Sequence, residues 1–308
     1  MKKMPSTYAH YRFGQEVLKE LPNDIKKIII ENKELYDIGL HGPDLLFYYL
    51  PLKTNEINLI GYNMHEKTGK EVFDTFRKMM TSKKQINHYL AYYYGFICHF
   101  ALDATCHGYI EKRIHESGVS HGEIEVEFDR FLMIEDGLNP ISHHLTNHLV
   151  ACEENAKIIA DFYKITTKQT KKAIKGMKMY NDLLAAPSKL KRKIIYALLR
   201  ISGNYKEMHG FVVSYEPNPL CEDSNKKLMS LYQKAEKLAV QLINEYSGLD
   251  DWNPIYQYTF GSKLIDGDIA DKKDTLSAII DEKESEKSRM YRSSGSKDCH
   301  VIKGGMLA

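Results

Sequence analysis

The stretch Phe96–Glu111, FICHFALDATCHGYIE, carries two histidines, an aspartate and two cysteines inside one of the most apolar parts of the chain. His99, Asp103 and His107 fall at i, i+4 and i+8, which on an α-helix stacks all three on nearly one face. A carboxylate in such surroundings is expensive to desolvate unless it is paired or bound to metal. The stripe is therefore expected to face a metal ion. Cys98 and Cys106 each precede a histidine by one residue, so they point about 100° away from the stripe. They read as small buried hydrophobes rather than thiolate ligands.

Outward from this helix, period-3.6 patterns recur and strand signals are weak, which predicts an all-α helical bundle. Helices are expected at about 11–20, 23–35, 66–80, 84–113, 121–136, 140–165, 168–201 and 223–248. Ser120 followed by Glu123 has the form of a capping box, and Asn139–Pro140 that of an N-cap with proline at N1. The segment HGPDLLFYYLPL (41–52), with Pro43 and Pro51, is expected as a loop leading into a short helical turn. Residues 1–250 are expected to form one helical domain and 251–308 an extension. From about residue 266 low hydrophobicity and dense charge predict a largely disordered polar tail, with one helix near 274–290.

The 308 residues, 43% hydrophobic and 27% charged, suffice for a sizeable core, and a net charge of +2 gives no global argument for a polyanionic partner. Five scattered cysteines do not form a disulfide pattern and suit a reducing compartment. No apolar run follows the N-terminal lysine pair, so no signal peptide is expected. Tyr89–Leu102 is too short to span a bilayer, which takes ~20 residues. A cytoplasmic location is expected. Between residues 164 and 200 Asp182 is the only acid among many lysines and arginines. Lys171, Lys172, Lys191 and Lys193 offer a polybasic face for an anionic membrane or, less well, for nucleic acid; the plainer alternative is a solvated helix surface.

Other candidates join the central stripe. His10 lies in TYAHYRFG, Asp44 in HGPDLLF and His65 in NMHEKTGK, while His121 and Glu125 repeat the i, i+4 spacing. With His99, Asp103 and His107 they make eight oxygen and nitrogen ligands of the types zinc accepts. His143, His144 and His148 are also helically spaced, and rank below the eight as metal ligands.

The ordered set His10, Asp44, His65, His99-x-x-x-Asp103, His107 and His121-x-x-x-Glu125 resembles the zinc-dependent phospholipase C family, which is related to the single-strand-specific zinc nucleases. The motifs cover about residues 5 to 130, with helical character continuing to about 250. The resemblance implies an all-helical domain with two or three zinc ions. Asp44, His65, His99 and Asp103 would hold the first, and His107, His121 and Glu125 the second. Asp103 would bridge to a third, shared with His10 and the chain's amino-terminal residue. Translation from Met4 with removal of that methionine would make Pro5 that residue. His107 lies fewer positions beyond Asp103 than its counterpart does in the family's enzymes.

The expected reaction is hydrolysis of a phosphodiester, most readily a phospholipid, with Asp44 orienting or deprotonating the attacking water. A nuclease would instead want aromatic stacking platforms, for which Tyr92, Tyr93 and Tyr94 are candidates. A metal-binding protein without catalysis is the third alternative.

Overall fold

In a computed structural model, residues 6–245 and 253–261 are described, and they fold as helices joined by short turns. In order these are α1 (Tyr8–Glu20), α2 (Asn23–Glu31), α3 (Lys33–Gly39), α4 (Glu56–His65), α5 (Gly69–Met80) and α6 (Ile86–Ser117). They continue as α7 (His121–Glu135), α8 (Glu153–Tyr163), α9 (Thr167–Leu184), α10 (Lys189–Ile201), α11 (Tyr205–Met208) and α12 (Glu222–Glu245). Among the described residues there is no sheet, only one bridge between Thr68 and Thr259. The all-α expectation holds. None of the described helices is long and apolar enough to cross a membrane.

The opening stretch lies in α6, in which every residue from Ala91 to His107 is buried. A helix apolar on all sides belongs in the centre of a bundle. Here α3, α12 and α1 pack round it. The α3 crossing is backbone on backbone. A Cβ at Gly39 would sit 2.3 Å from the Tyr92 carbonyl oxygen, and one at Gly95 the same distance from that of Tyr36. Side chains cannot be placed at that crossing.

Several expected helices are divided or shifted, each for a local reason. The helix expected over 23–35 breaks at Asn32, whose side-chain amide donates to the Ile28 carbonyl. The one expected over 168–201 breaks before Pro187, which has no N–H to continue α9, and Ser188 then caps α10. The helix expected from 140 starts only at Glu153. Asn139 does accept a bond from the Ile141 amide, but residues 140–151 lack an apolar stripe and form turns. Helix α4 was not foreseen, because its capping box pairs Asn55 with Asn58 rather than a hydroxyl with Glu. Ser120 caps α7 as expected, accepting from the Glu123 amide.

Residues 253–261, on the extension side of the boundary expected at 250, pack on α5 and α6. Phe260 lies 4.9 Å from Phe100, ring to ring, and the Gly69 amide donates to the Tyr258 carbonyl at 2.9 Å. Pro5 and the tail expected from 266, with its helix near 274–290, lie outside the described residues. A smaller apolar cluster forms beside α7, where Ile195 and Leu199 of α10 meet Ala186, Met208 and Val212.

Candidate metal centre

Four parts of the fold deliver polar side chains to the stripe on α6, and a fifth supplies a backbone carbonyl. The first is α1, whose N-cap Thr7 makes no capping bond with its own side chain. The amides of Thr7, Tyr8 and Ala9 donate instead to Asp129 of α7, at 3.0, 3.0 and 2.7 Å, and the Ser6 hydroxyl joins them. This buried carboxylate at a helix N-terminus fixes α1, and with it His10 one residue on. The His10 ring stacks on that of His99 with centroids 4.5 Å apart.

The second part is the 3-10 turn Gly42–Tyr48. Gly42 has φ +47°, and a Cβ there would lie 2.2 Å from the His99 ring. Only glycine combines that conformation with that approach. The turn then brings Asp44 within 3.8 Å of Nε2 of His99. Third, α4 ends on His65, whose Nδ1 lies 2.8 Å from the Gly61 carbonyl, so that its Nε2 faces Asp44. The first turns of α7 present His121 and Glu125. Finally, the Phe260 carbonyl lies 2.8 Å from Nδ1 of His107 and turns Nε2 of that ring inward. A ring N–H given to a backbone carbonyl is the usual means of presenting the other nitrogen to a metal.

The eight residues are all buried and form two adjoining groups. In the first, Asp103 lies 3.2 Å from Nε2 of His10 and 3.2 Å from Nε2 of His99. Asp44 lies 3.8 Å from Nε2 of His99 and 3.0 Å from Nε2 of His65, which is itself 3.8 Å from Asp103. In the second, Glu125 lies 3.1 Å from Nε2 of His121 and 3.4 Å from Nε2 of His107. His107 also comes within 3.9 Å of Asp103, which joins the two groups. Its shorter spacing along the chain is thus absorbed by the continuous helix, which still presents it to Glu125.

The electrostatics are those of carboxylates surrounded by imidazoles. Burial alone would raise the Asp103 carboxyl, but His99, His107 and His10 hold it well below the usual range. Burial would likewise raise Glu125, yet His121 and His107 bring it to about 2. Burial works to lower His10 and His65, and their carboxylate neighbours overcome it, Asp103 for His10 and Asp44 for His65, so both are raised. Both Asp103 and Glu125 are anionic at neutral pH.

The fit to a metal is tested by what the protein leaves unsatisfied. Fully buried His99 makes no well-aligned hydrogen bond through either ring nitrogen, and neither do Oδ1 of Asp44, Oε2 of Glu125 or Nδ1 of His10. Buried polar atoms are rarely left so, and several in one place are a mark of an ion site. His10, Asp44, His99 and Asp103 each offer an atom within 4.8 Å of the others, as do His107, His121 and Glu125. Mixed imidazole and carboxylate donors suit zinc. The residues fit.

Other sequence candidates fall elsewhere. His144 pairs with Asp182 at the surface, His143 lies edge-on to Tyr8, and His148 stacks on Tyr11 and meets His41 with Nε2 atoms 2.7 Å apart. Cys98 and Cys106 are buried, and burial pushes both thiols up, Cys98 to about 12, so neither is a thiolate. Tyr92, Tyr93 and Tyr94 are buried in the core, where Tyr92 bonds Tyr163. Asp129 was missed, although it continues the register of His121 and Glu125 by one further step of four. The carbonyls of Gly61 and Phe260 leave no trace in the sequence.

A family model for zinc dependent phospholipase C matches residues 9–194, a span that holds all eight residues of the centre. No curated protein and no solved structure matches the chain.

Proposed function

The chain belongs to the zinc-dependent phospholipase C family, and from that premise we propose that it hydrolyses a phosphodiester, with a phospholipid as the favoured substrate. The observation that carries this is the buried pair of His/carboxylate groups joined through Asp103, with neither ring nitrogen of His99 in a well-aligned hydrogen bond. Asp44, His65, His99 and Asp103 would hold one zinc ion, and His107, His121 and Glu125 a second. His10 with Asp103 would serve a third.

Zinc held there supplies Lewis-acid polarisation of a phosphoryl oxygen and lowers the pKa of water. The chain's own residues provide the rest. Asp44, on a turn of fixed geometry, orients the attacking water and accepts its proton. Asp103, kept anionic by three imidazoles, holds the two groups in fixed relation, which keeps water and phosphorus in line. The carbonyls of Gly61 and Phe260 keep Nε2 of His65 and His107 directed inward.

The nuclease alternative loses its proposed stacking platform, since Tyr92, Tyr93 and Tyr94 are buried. The test is turnover by zinc-loaded protein on phosphatidylcholine vesicles and on single-stranded DNA. Release of a phosphorylated headgroup, abolished by a chelator and restored by zinc, is expected. Cleavage of DNA alone would move the assignment to a nuclease. Bound zinc with turnover of neither would make this a non-catalytic metal protein.

A further inference from the structure

Helix α10 has two apolar faces, and the bundle uses only one. Ile195 and Leu199 point inward to the cluster with Ala186, Met208 and Val212. On the outer side Leu190, Ile194, Leu198 and Ile201 are 69, 52, 58 and 83% exposed. Steps of four, four and three residues place these side chains within about 80° of arc. Single exposed aliphatics are ordinary on a protein surface, but four in register form a continuous stripe.

The charge beside the stripe is of one sign. Residues 189–201 include five lysines and arginines and no acid. Lys191 is engaged with the Asp182 and Ala185 carbonyls, and Arg192 is buried, bonded to the Ala186 carbonyl. Lys189 and Lys193 are exposed and have no acidic partner among the described residues. With Arg200, whose guanidinium lies 4.2 Å from the centre of the Tyr205 ring, they line one flank of the stripe. Lys171, by contrast, pairs with Glu153.

We propose that α10 is a docking helix for an anionic lipid surface, with Leu190, Ile194, Leu198 and Ile201 entering the headgroup boundary and Lys189, Lys193 and Arg200 meeting the phosphates. An interfacial helix has this make-up, apolar on one face and basic beside it. A second copy of the chain fits less well, because pairing two such stripes would bring basic flanks together with no acid on α10 to answer them. Nucleic acid would use the lysines and leave the aliphatic stripe in water.

The helix is held to the metal-bearing part of the fold. Phe211 packs both on the α10 cluster and on Gly122 beside His121, and Arg192 of α10 lies over the ring of Tyr215, whose carbonyl, like that of Ser214, accepts from Arg130 of α7. A surface that captures α10 therefore captures the helix that presents His121 and Glu125. The proposal goes beyond the phosphodiesterase reading and stands on the exposed face, not on turnover.

The test is flotation of the full-length zinc-loaded chain with vesicles of phosphatidylcholine containing about 30 mol% phosphatidylserine, or of phosphatidylcholine alone. The variants are Ile194→Ser/Leu198→Ser and Lys189→Glu/Lys193→Glu. Wild type is expected to float with the anionic vesicles and to release as salt rises. The apolar pair should weaken binding by about tenfold or more, and charge reversal should abolish the preference for anionic lipid. Circular dichroism and hydrolysis of a water-soluble phosphodiester should be unchanged in both variants, since neither pair touches the metal centre. Equal flotation of wild type and the apolar variant would overturn the proposal. So would a wild-type dimer that the apolar variant turns to monomer without vesicle binding, or capture of single-stranded DNA but not vesicles. Absence of phosphodiester hydrolysis with the flotation pattern intact would refute the enzyme assignment and leave the docking face standing.

Discussion

Two stretches of this chain carry histidines at helical spacing, Phe96–Glu111 and residues 143–148, and they end in different chemistry. On α6, His99 and His107 share a face with Asp103, and Asp44 and Glu125 arrive from other elements to join them. His148 meets His41 instead, and the charges that act on it are those of Lys33 and Lys178. Burial lowers His148 to about 3 and carries His41 well below its ordinary value, with His148 adding to the effect. In the α6 group burial acts the same way on His10 and His65, but the carboxylates reverse it. Histidine count is therefore a poor guide to a metal site. What separates the regions is whether carboxylates are delivered into the buried cluster: the one that reaches the second stretch, Asp182, meets His144 at the surface.

The comparison breaks first at Asp103. Asp103→Ala removes the residue shared by both groups, and turnover of any phosphodiester should fall below detection, with circular dichroism as a check on the fold. If turnover persists within tenfold of wild type, the joined arrangement is wrong. Next comes the turn that delivers Asp44. Gly42→Ala imposes a side chain at φ +47° against the His99 ring and should cost about 3 kcal/mol or more, read as a lowered urea midpoint. An unshifted midpoint would mean that this approach is not close.

A smaller effect is expected on the His121 side. Glu125→Gln should lose the ion held with His107 and His121 while retaining metal in the Asp44 group, as measured by metal analysis. The two regions should also titrate in opposite senses in chelator-treated protein. His10 and His65 are raised, so the stability they contribute is full below about pH 6.5 and is lost as pH rises through their folded values. His41 and His148 are lowered, so their contribution is present above about pH 6.5 and is lost as pH falls towards their folded values. Imidazole NMR near pH 6.5 should then show His10 and His65 mostly charged and His41 and His148 neutral. Zinc must displace those protons, so its affinity should weaken as pH drops. The smallest effect is a null: His143→Ala and His148→Ala should leave metal content unchanged.

Much of the centre was legible because helices keep their ligands in register. The i, i+4 steps from His99 to Asp103 to His107, and from His121 to Glu125, need only a helix to be true. His10, Asp44 and His65 came from resemblance and residue type, since what brings them in is tertiary. Asp129 has to clamp α1, Gly42 has to turn under His99, and α4 has to end on His65. The His143–His148 segment shows the converse, since its spacing and the Asn139–Pro140 start implied a helix that the polar run after them does not sustain. Phe260 stood in a segment read as extension, and its backbone carbonyl has no residue-specific signal.

The most direct test of the account is zinc content per chain in protein purified without chelator, measured for wild type, Asp103→Ala and His148→Ala by elemental mass spectrometry. The two groups predict at least two zinc ions in wild type, most of this lost in Asp103→Ala, and no change in His148→Ala. A wild-type chain without zinc, or an Asp103→Ala chain that keeps the full complement, would contradict it.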